Sequence, residues 1–126
     1  MPSLGNHDPL SLQVATKDDI NASRRLAETV VKVDGKMLQF DNISRQRMRD
    51  VITSMEEGEE VEWFFYDNTS ATMNRGQLYD LMVKAEHLMG RHTLNVFERA
   101  KSLKSRLESG EQITKDMLRL ERWTTN

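Results

Sequence analysis

His87 and His92 are the residues best suited to hold a metal ion in this chain, which has three histidines and no cysteine. On a helix, five positions turn the second side chain about 140° from the first, so the two share an ion only if a third element joins them. The spacing therefore predicts no metal site. It places His92 on an apolar stripe as a partly buried side chain with one hydrogen-bond partner, and His7 in an exposed position near the start. Glu56, Glu57, Glu59 and Glu60 surround Gly58 without the alternating oxygen donors and distal bidentate glutamate of a calcium loop, so they read as a solvated helix end. Arg45, Arg47 and Arg49 fall on more than one face of a helix, which is the pattern of a solvated surface, with contact to an acidic partner as the alternative. The lack of cysteine removes disulfides, thiolate ligands and a cysteine nucleophile. No glycine-rich phosphate cradle is present, and no serine sits in a nucleophile elbow. The expectation is a non-enzymatic protein with no catalytic residues and no cofactor.

The elements that carry these residues must come from 126 residues, room for one domain. Leu, Ile, Val and Phe supply 29 of them, just above the content at which a chain repays its ordering entropy. Eighteen Lys and Arg against twenty Asp and Glu leave a net charge of -2. That balance offers no polycationic surface and argues against nucleic acid as a partner. No apolar stretch approaches the ~18 residues needed to cross a bilayer, so no membrane is expected. The opening residues lack the basic start and apolar run of a secretion signal.

Residues 1–15 contain both prolines and no sustained period, and read as an extended N-terminal arm anchored by Leu4, Leu10 and Leu12. The remainder, 16–126, reads as a single α+β domain. Thr16 caps a first helix, with Asp18 and Asp19 in its positive first turn. Asp34-Gly35 between short apolar runs predicts a type I′ hairpin, with strands at about 30–33 and 36–40. Asn42 or Ser44 then caps a helix carrying Met48, Val51, Ile52 and Met55, stopped by Gly58. Val61, Trp63 and Phe65 alternate with Glu62, Phe64 and Tyr66, and Asp67-Asn68-Thr69 turns the chain into a strand at Ser70 to Met73. Both sides of this strand are apolar, which predicts that both are covered. Asn74 with Gln77 forms a capping box opening a helix over about 75–109, stopped by Gly110. A short helix over about 114–122 ends the chain. The fold class expected is therefore α+β: two short antiparallel hairpins packed with a short helix and one long C-terminal helix.

The long helix carries Leu78, Met82, Ala85, Met89, His92, Val96, Ala100, Leu103 and Leu107 at spacings close to a heptad seam. At about 50 Å it exceeds the body of a domain this size, which predicts that Met82, Met89, Val96 and Leu103 meet another molecule and that the protein is a homo-oligomer. A kink at Gly90 that folds the second half back is the alternative. On the interface reading, glutamate at Val96 and Leu103 would leave a folded monomer. Eight methionines, several on helices, suit either adaptable interfaces or ordinary core packing.

The order of these motifs resembles a known family. VKVDGKMLQFDNISRQRMRDVI from Val31, VEWFFYDNTSATMNRGQL from Val61, and RAKSLKSRL from Arg99 are similar to a domain family of unknown function encoded in tailed bacteriophages and prophages, commonly beside tail-fibre genes. The most specific pieces are Phe40-Asp41 with Ser44 and Met48, the spacing from Trp63 to Asp67-Asn68-Thr69, Gln77-Leu78 and Leu103-Lys104. Asn74 stands where such sequences often carry threonine, and both residues cap helices. The resemblance covers about two thirds of the chain and brings no catalytic residues. It implies a structural viral protein of the virion, assembled in the bacterial host cytoplasm: a tail adaptor or fibre-attachment subunit whose partners are phage tail or tail-fibre proteins. The alternative it implies is a tail-fibre assembly chaperone absent from the mature particle. A third reading is a host-directed or regulatory binding module.

Overall fold

The computed structural model describes residues 9–124, and its elements follow one another as helix, hairpin, helix, hairpin and long helix. These are α1 (Lys17–Ala27), β1 (Val30–Val33), β2 (Lys36–Gln39), α2 (Asn42–Ser54), β3 (Glu60–Phe64), β4 (Ser70–Asn74) and α3 (Arg75–Glu108). A 3-10 turn at Lys115–Leu118 and the short α4 (Leu120–Trp123) complete it. The protein is α+β, with two antiparallel two-stranded sheets, β1-β2 and β3-β4. The chain divides into two compact units, one of residues 28–92 and one of residues 9–27 with 93–124.

In the unit of residues 28–92, Asp34 and Gly35 both have positive φ, 50° and 81°. This is the backbone that a two-residue type I′ hairpin demands, and it sets the register Val33↔Lys36 through Val30↔Gln39. Val31, Val33 and Leu38 are buried as a result. Asp41, rather than Asn42 or Ser44, caps α2: its carboxylate accepts from the Ser44 N–H at 2.9 Å. Asn42 and Ser44 lie one and three places inside the helix, where a side chain no longer reaches the free N–H groups of the first turn. The helix ends at Ser54, four residues before the expected stop at Gly58, because Met55 is already extended (φ -71°, ψ 136°) and fills the core. Gly58, at φ +84°, instead closes a turn in which the Glu59 N–H bonds the Glu56 carbonyl at 3.1 Å and leads into β3.

Asn74 and Gln77 form the expected reciprocal cap, each side chain accepting from the other's backbone N–H at 2.9 Å. From there Leu78, Leu81, Met82 and Ala85 join Val31, Val33, Leu38, Phe40, Met48, Met55 and Phe65 in one core. Side-chain contacts fasten α3 to the rest of this unit. Arg49 bonds Glu86 at 2.7 Å, Lys84 pairs with Asp34 at 3.0 Å, and Arg75 reaches the Met55 carbonyl at 3.2 Å.

In the other unit, Thr16 and Asp19 cap α1 reciprocally, with bonds of 2.8 and 3.2 Å. The backbone hydrogen bond to Asp19 from Thr16 is the first cause holding its carboxyl below the usual value. Ala15, Ile20, Ala27, Val96, Ala100, Leu103, Ile113, Leu118 and Trp123 form the core. The segment read as an arm is, from Pro9 onward, tied down by this same unit. The Leu12 N–H bonds the Pro9 carbonyl to make a turn, Val14 bridges Thr114, and the Ala15 N–H bonds the Ile113 carbonyl at 2.7 Å. Leu4 and His7 lie outside the described residues. The expected final helix is split, because Arg119 at ψ 143° leaves helical geometry between the 3-10 turn and α4. α3 runs through Gly90 to Glu108, and the Glu111 N–H closes it on the Arg106 carbonyl at 3.0 Å.

Two outcomes follow. Gly35→Val forces a β-branched residue to φ +81°, where open space offers no relief from backbone strain, and should cost about 1–3 kcal/mol in chemical denaturation. For Asp41, hydrogen bonding from the Ser44 backbone and then its side chain holds the carboxyl below its usual value. Its contribution is therefore complete above the unfolded-state value near 3.8 and lost as pH falls through the lower folded-state value. Asp41→Asn should keep the cap and flatten this acid limb in pH-dependent unfolding, while Asp41→Ala should lose about 1 kcal/mol at neutral pH.

Candidate functional site

The period of β3 decides which of its aromatics are available. Successive side chains of a strand point to opposite faces, so Val61, Trp63 and Phe65 turn toward the core of their unit while Glu60, Glu62 and Phe64 turn away. The expectation that both faces are covered fails: Phe64 is 60% exposed and Tyr66 is also open to solvent. The reason is a count of layers. One long helix and one short helix line the inner face of the hairpins, and within the described residues of this unit nothing is laid over the outer face at Phe64.

The loop after β3 is built to hold this strand in register. Tyr66, Asp67 and Asn68 form a three-residue connection between the bonded pair Phe65 and Thr69, with Asn68 at φ 67°, a left-handed position asparagine tolerates. The Asp67 carboxylate accepts from the Thr69 hydroxyl at 2.6 Å and its N–H at 3.0 Å. Those two bonds, the hydroxyl's first, keep the Asp67 carboxyl below its usual value. Asp67 and Asn68 thus serve the turn.

Beside Phe64 the surface opens into a depression of about 270 Å³ lined by Gln39, Ser44, Arg47, Glu62, Trp63 and Phe64. Its walls are the outer edges of β2 and β3 and the first turns of α2. Ile43, next to the lining residue Ser44, is 65% exposed. Chemically the site offers apolar rings, a carboxylate, a guanidinium and two small polar groups, a composition suited to gripping a polypeptide.

The residues proposed from sequence as an interface lie elsewhere. Val96 and Leu103 are 0% and 1% exposed within the core of their own unit, Met82 is buried, and Met89 packs against the core of residues 28–92. The seam read as a surface for another molecule is therefore consumed by the chain itself, since the helix buries each half of its stripe against the unit to which that half belongs. Leu10 and Leu12 are exposed, and Leu4 lies outside the described residues. His92 is buried and His87 exposed. Among the described residues no group of three or more His, Asp and Glu side chains is placed to hold a metal ion. Among them, too, no helix is long and apolar enough to cross a membrane. The Phe64 face and the Gln39 edge went unnoticed in the sequence, although the alternation of Phe64 and Tyr66 against Trp63 and Phe65 was its visible signal.

The profile of a domain family of unknown function, DUF4376, matches residues 11–119. The chain belongs to this family. The match begins in the segment that bridges Thr114 and ends beyond the 3-10 turn, so the DUF4376 domain takes in β1 to β4 and α1 to α3. No curated protein and no solved structure matches the chain.

The burial of the seam yields a prediction opposite to that of the interface reading. Glutamate at Val96 and Leu103 places two unpaired carboxylates in a core and should abolish the cooperative thermal transition seen by circular dichroism.

Proposed function

We propose that this DUF4376 chain is a non-enzymatic adaptor or fibre-attachment subunit of a bacteriophage tail, a structural component that works through protein–protein contacts and resides in the virion. One observation carries the binding half of this reading: Phe64 lies 60% exposed beside a depression walled by Trp63, Gln39 and Arg47, on the face of β3 turned away from the core. An exposed aromatic at a concave, mixed polar and apolar surface is the form of a protein-binding anchor. The tail half rests on the resemblance of the Val31, Val61 and Arg99 motifs to a family carried in tailed phages and prophages near tail-fibre genes. The partners on this reading are tail or tail-fibre proteins. Self-association, if it occurs, uses a surface other than the Met82, Met89, Val96 and Leu103 seam, which is already covered.

The test is quantitative mass spectrometry of purified particles from a phage whose genome encodes the chain. A fixed stoichiometric copy number is the expected result. Phe64→Asp, on an exposed position, should leave the melting transition nearly unchanged and remove the chain from the particles. Recovery of the chain with unassembled fibre protein, and its absence from finished particles, would replace the adaptor by an assembly chaperone.

A further inference from the structure

The backbone of the two hairpins says more about what occupies the depression than its side chains do. In an antiparallel pair, residues alternate between those whose N–H and C=O bond the partner strand and those whose groups point outward. The Phe65 N–H bonds the Thr69 carbonyl at 2.8 Å, and with the register Trp63↔Ala71 and Val61↔Met73 this assigns the odd residues of β3 to β4. Glu62 and Phe64 therefore direct their backbone N–H and C=O away from β4. The same reasoning applies to β2. The Phe40 N–H bonds the Thr29 carbonyl at 2.7 Å, so the even residues bond β1, and Met37 and Gln39 direct their backbone groups outward.

These two outward edges face each other. At one end they meet, where the Tyr66 N–H, next in the outward series after Phe64, donates to the Met37 carbonyl at 2.9 Å. Further along they part, and the depression lined by Gln39 on one side and by Glu62, Trp63 and Phe64 on the other occupies the gap. The hairpins thus form an interrupted sheet, closed by one backbone bond at one end and open at the other. An open edge with outward amides and an exposed aromatic beside it is a receptor for an added strand.

The charge around this edge selects the strand. Over residues 55–74 there are six acidic residues, Glu56, Glu57, Glu59, Glu60, Glu62 and Asp67, and no basic one, while α2 contributes the single guanidinium of Arg47 to the lining of the depression. Glu60 and Glu62 share the outer face with Phe64, and among the described residues neither joins an ion pair. A second copy offering the same edge would bring these glutamates against their own kind, which disfavours self-pairing. An incoming strand that alternates a cation with an apolar residue turns all its cations to that one face, against Glu60, Glu62 and the Phe64 ring, and its apolar residues to the Trp63 side.

We infer that the gap between β2 and β3 receives an extended, basic segment of a partner protein, which pairs with the outward backbone groups of Glu62 and Phe64 and sets its cationic side chains against Glu60, Glu62 and the face of the Phe64 ring. This rests on the reading of the Phe64 face as the binding site, and it names the conformation and charge of the partner.

The experiment uses the full chain, labelled with nitrogen-15, and an acetylated, amidated hexapeptide of alternating lysine and valine. Titration should shift the amide resonances of Gln39, Glu62 and Phe64 and slow hydrogen exchange at Glu62 and Phe64. The glutamate–valine counterpart, and a lysine–valine peptide N-methylated on its pairing edge, should bind about tenfold more weakly or worse. Phe64→Pro removes one outward N–H at an edge that tolerates proline and should abolish the response. Should that variant misfold, Glu60→Lys with Glu62→Lys serves instead and should switch preference to the glutamate–valine peptide. Unmoved Glu62 and Phe64 amides, equal binding of the two peptides, or a dimer by sedimentation that is lost in the double-lysine variant each overturn the inference. The outcome is separable from that of the tail reading. If Phe64→Asp is excluded from particles while the peptide leaves Glu62 and Phe64 unmoved, the site stands and the added strand falls. If the peptide binds as described and particles still contain Phe64→Asp, the tail role falls instead.

Discussion

The Met37 carbonyl accepts from the Tyr66 N–H at 2.9 Å, and this contact ties the two hairpins of residues 28–92 at one end while their edges part at the other. Each hairpin has only two strands, so each has backbone groups along its edges that its own ladder does not use, and neither would be stable alone in water. Their stability comes from the inner face, where Val31, Val33, Leu38 and Phe65 pack with Met48, Met55, Leu78 and Met82. The depression and the exposed Phe64 are consequences of the same economy: a small chain covers one face of its sheets and leaves the other to solvent or to a partner.

Two arginines show how charged groups are accommodated near these cores. Arg45 lies over the Phe40 ring at 5.1 Å and pairs with Glu86 at 3.7 Å, and Arg99 lies over the Trp123 ring at 5.5 Å while donating to the Met117 carbonyl at 2.7 Å. Each keeps a buried Nε without a hydrogen-bond partner among the described residues. Stacking on an aromatic face offsets part of the desolvation of a guanidinium, which an ammonium in the same place would do less well. Burial, followed by the charges of Arg122 and Arg106, lowers the Arg99 value, yet guanidinium remains charged at any physiological pH. The Trp123 indole N–H donates to the Leu118 carbonyl at 3.1 Å, so the ring under Arg99 is itself fixed in place.

Membership of the DUF4376 family and the exposed edge of β3 bear on different questions. The family match spans residues 11–119 and describes the whole scaffold. The edge is a local property of four strands. Charge then distinguishes this edge from the rest of a chain whose net charge is only -2, because six of its twenty acidic residues fall within residues 55–74 with no basic residue among them. A nearly neutral total thus conceals a local run of acidic residues, which composition alone averages away.

The sequence by itself determined the local structure. Asp34-Gly35 requires a I′ turn because both residues take positive φ, Asn74 with Gln77 and Thr16 with Asp19 cap their own helices, and Gly110 follows the end of α3, all through contacts within a few residues. The same local rules marked two short hairpins and a long helix, hence the α+β class. Tertiary structure decided what each apolar stripe meets. The seam through Met82, Val96 and Leu103 looked identical whether it faced a second molecule or the chain's own cores, since periodicity records that a face is apolar and not what covers it. Likewise the two-sided apolar pattern of β3 could not show that only the Trp63 side would be buried. That depends on how many elements are left to form a second layer. Nor could it show that Gln39 would stand opposite Phe64, because the approach of β2 and β3 is made by a contact between residues 29 positions apart, for which no local pattern exists.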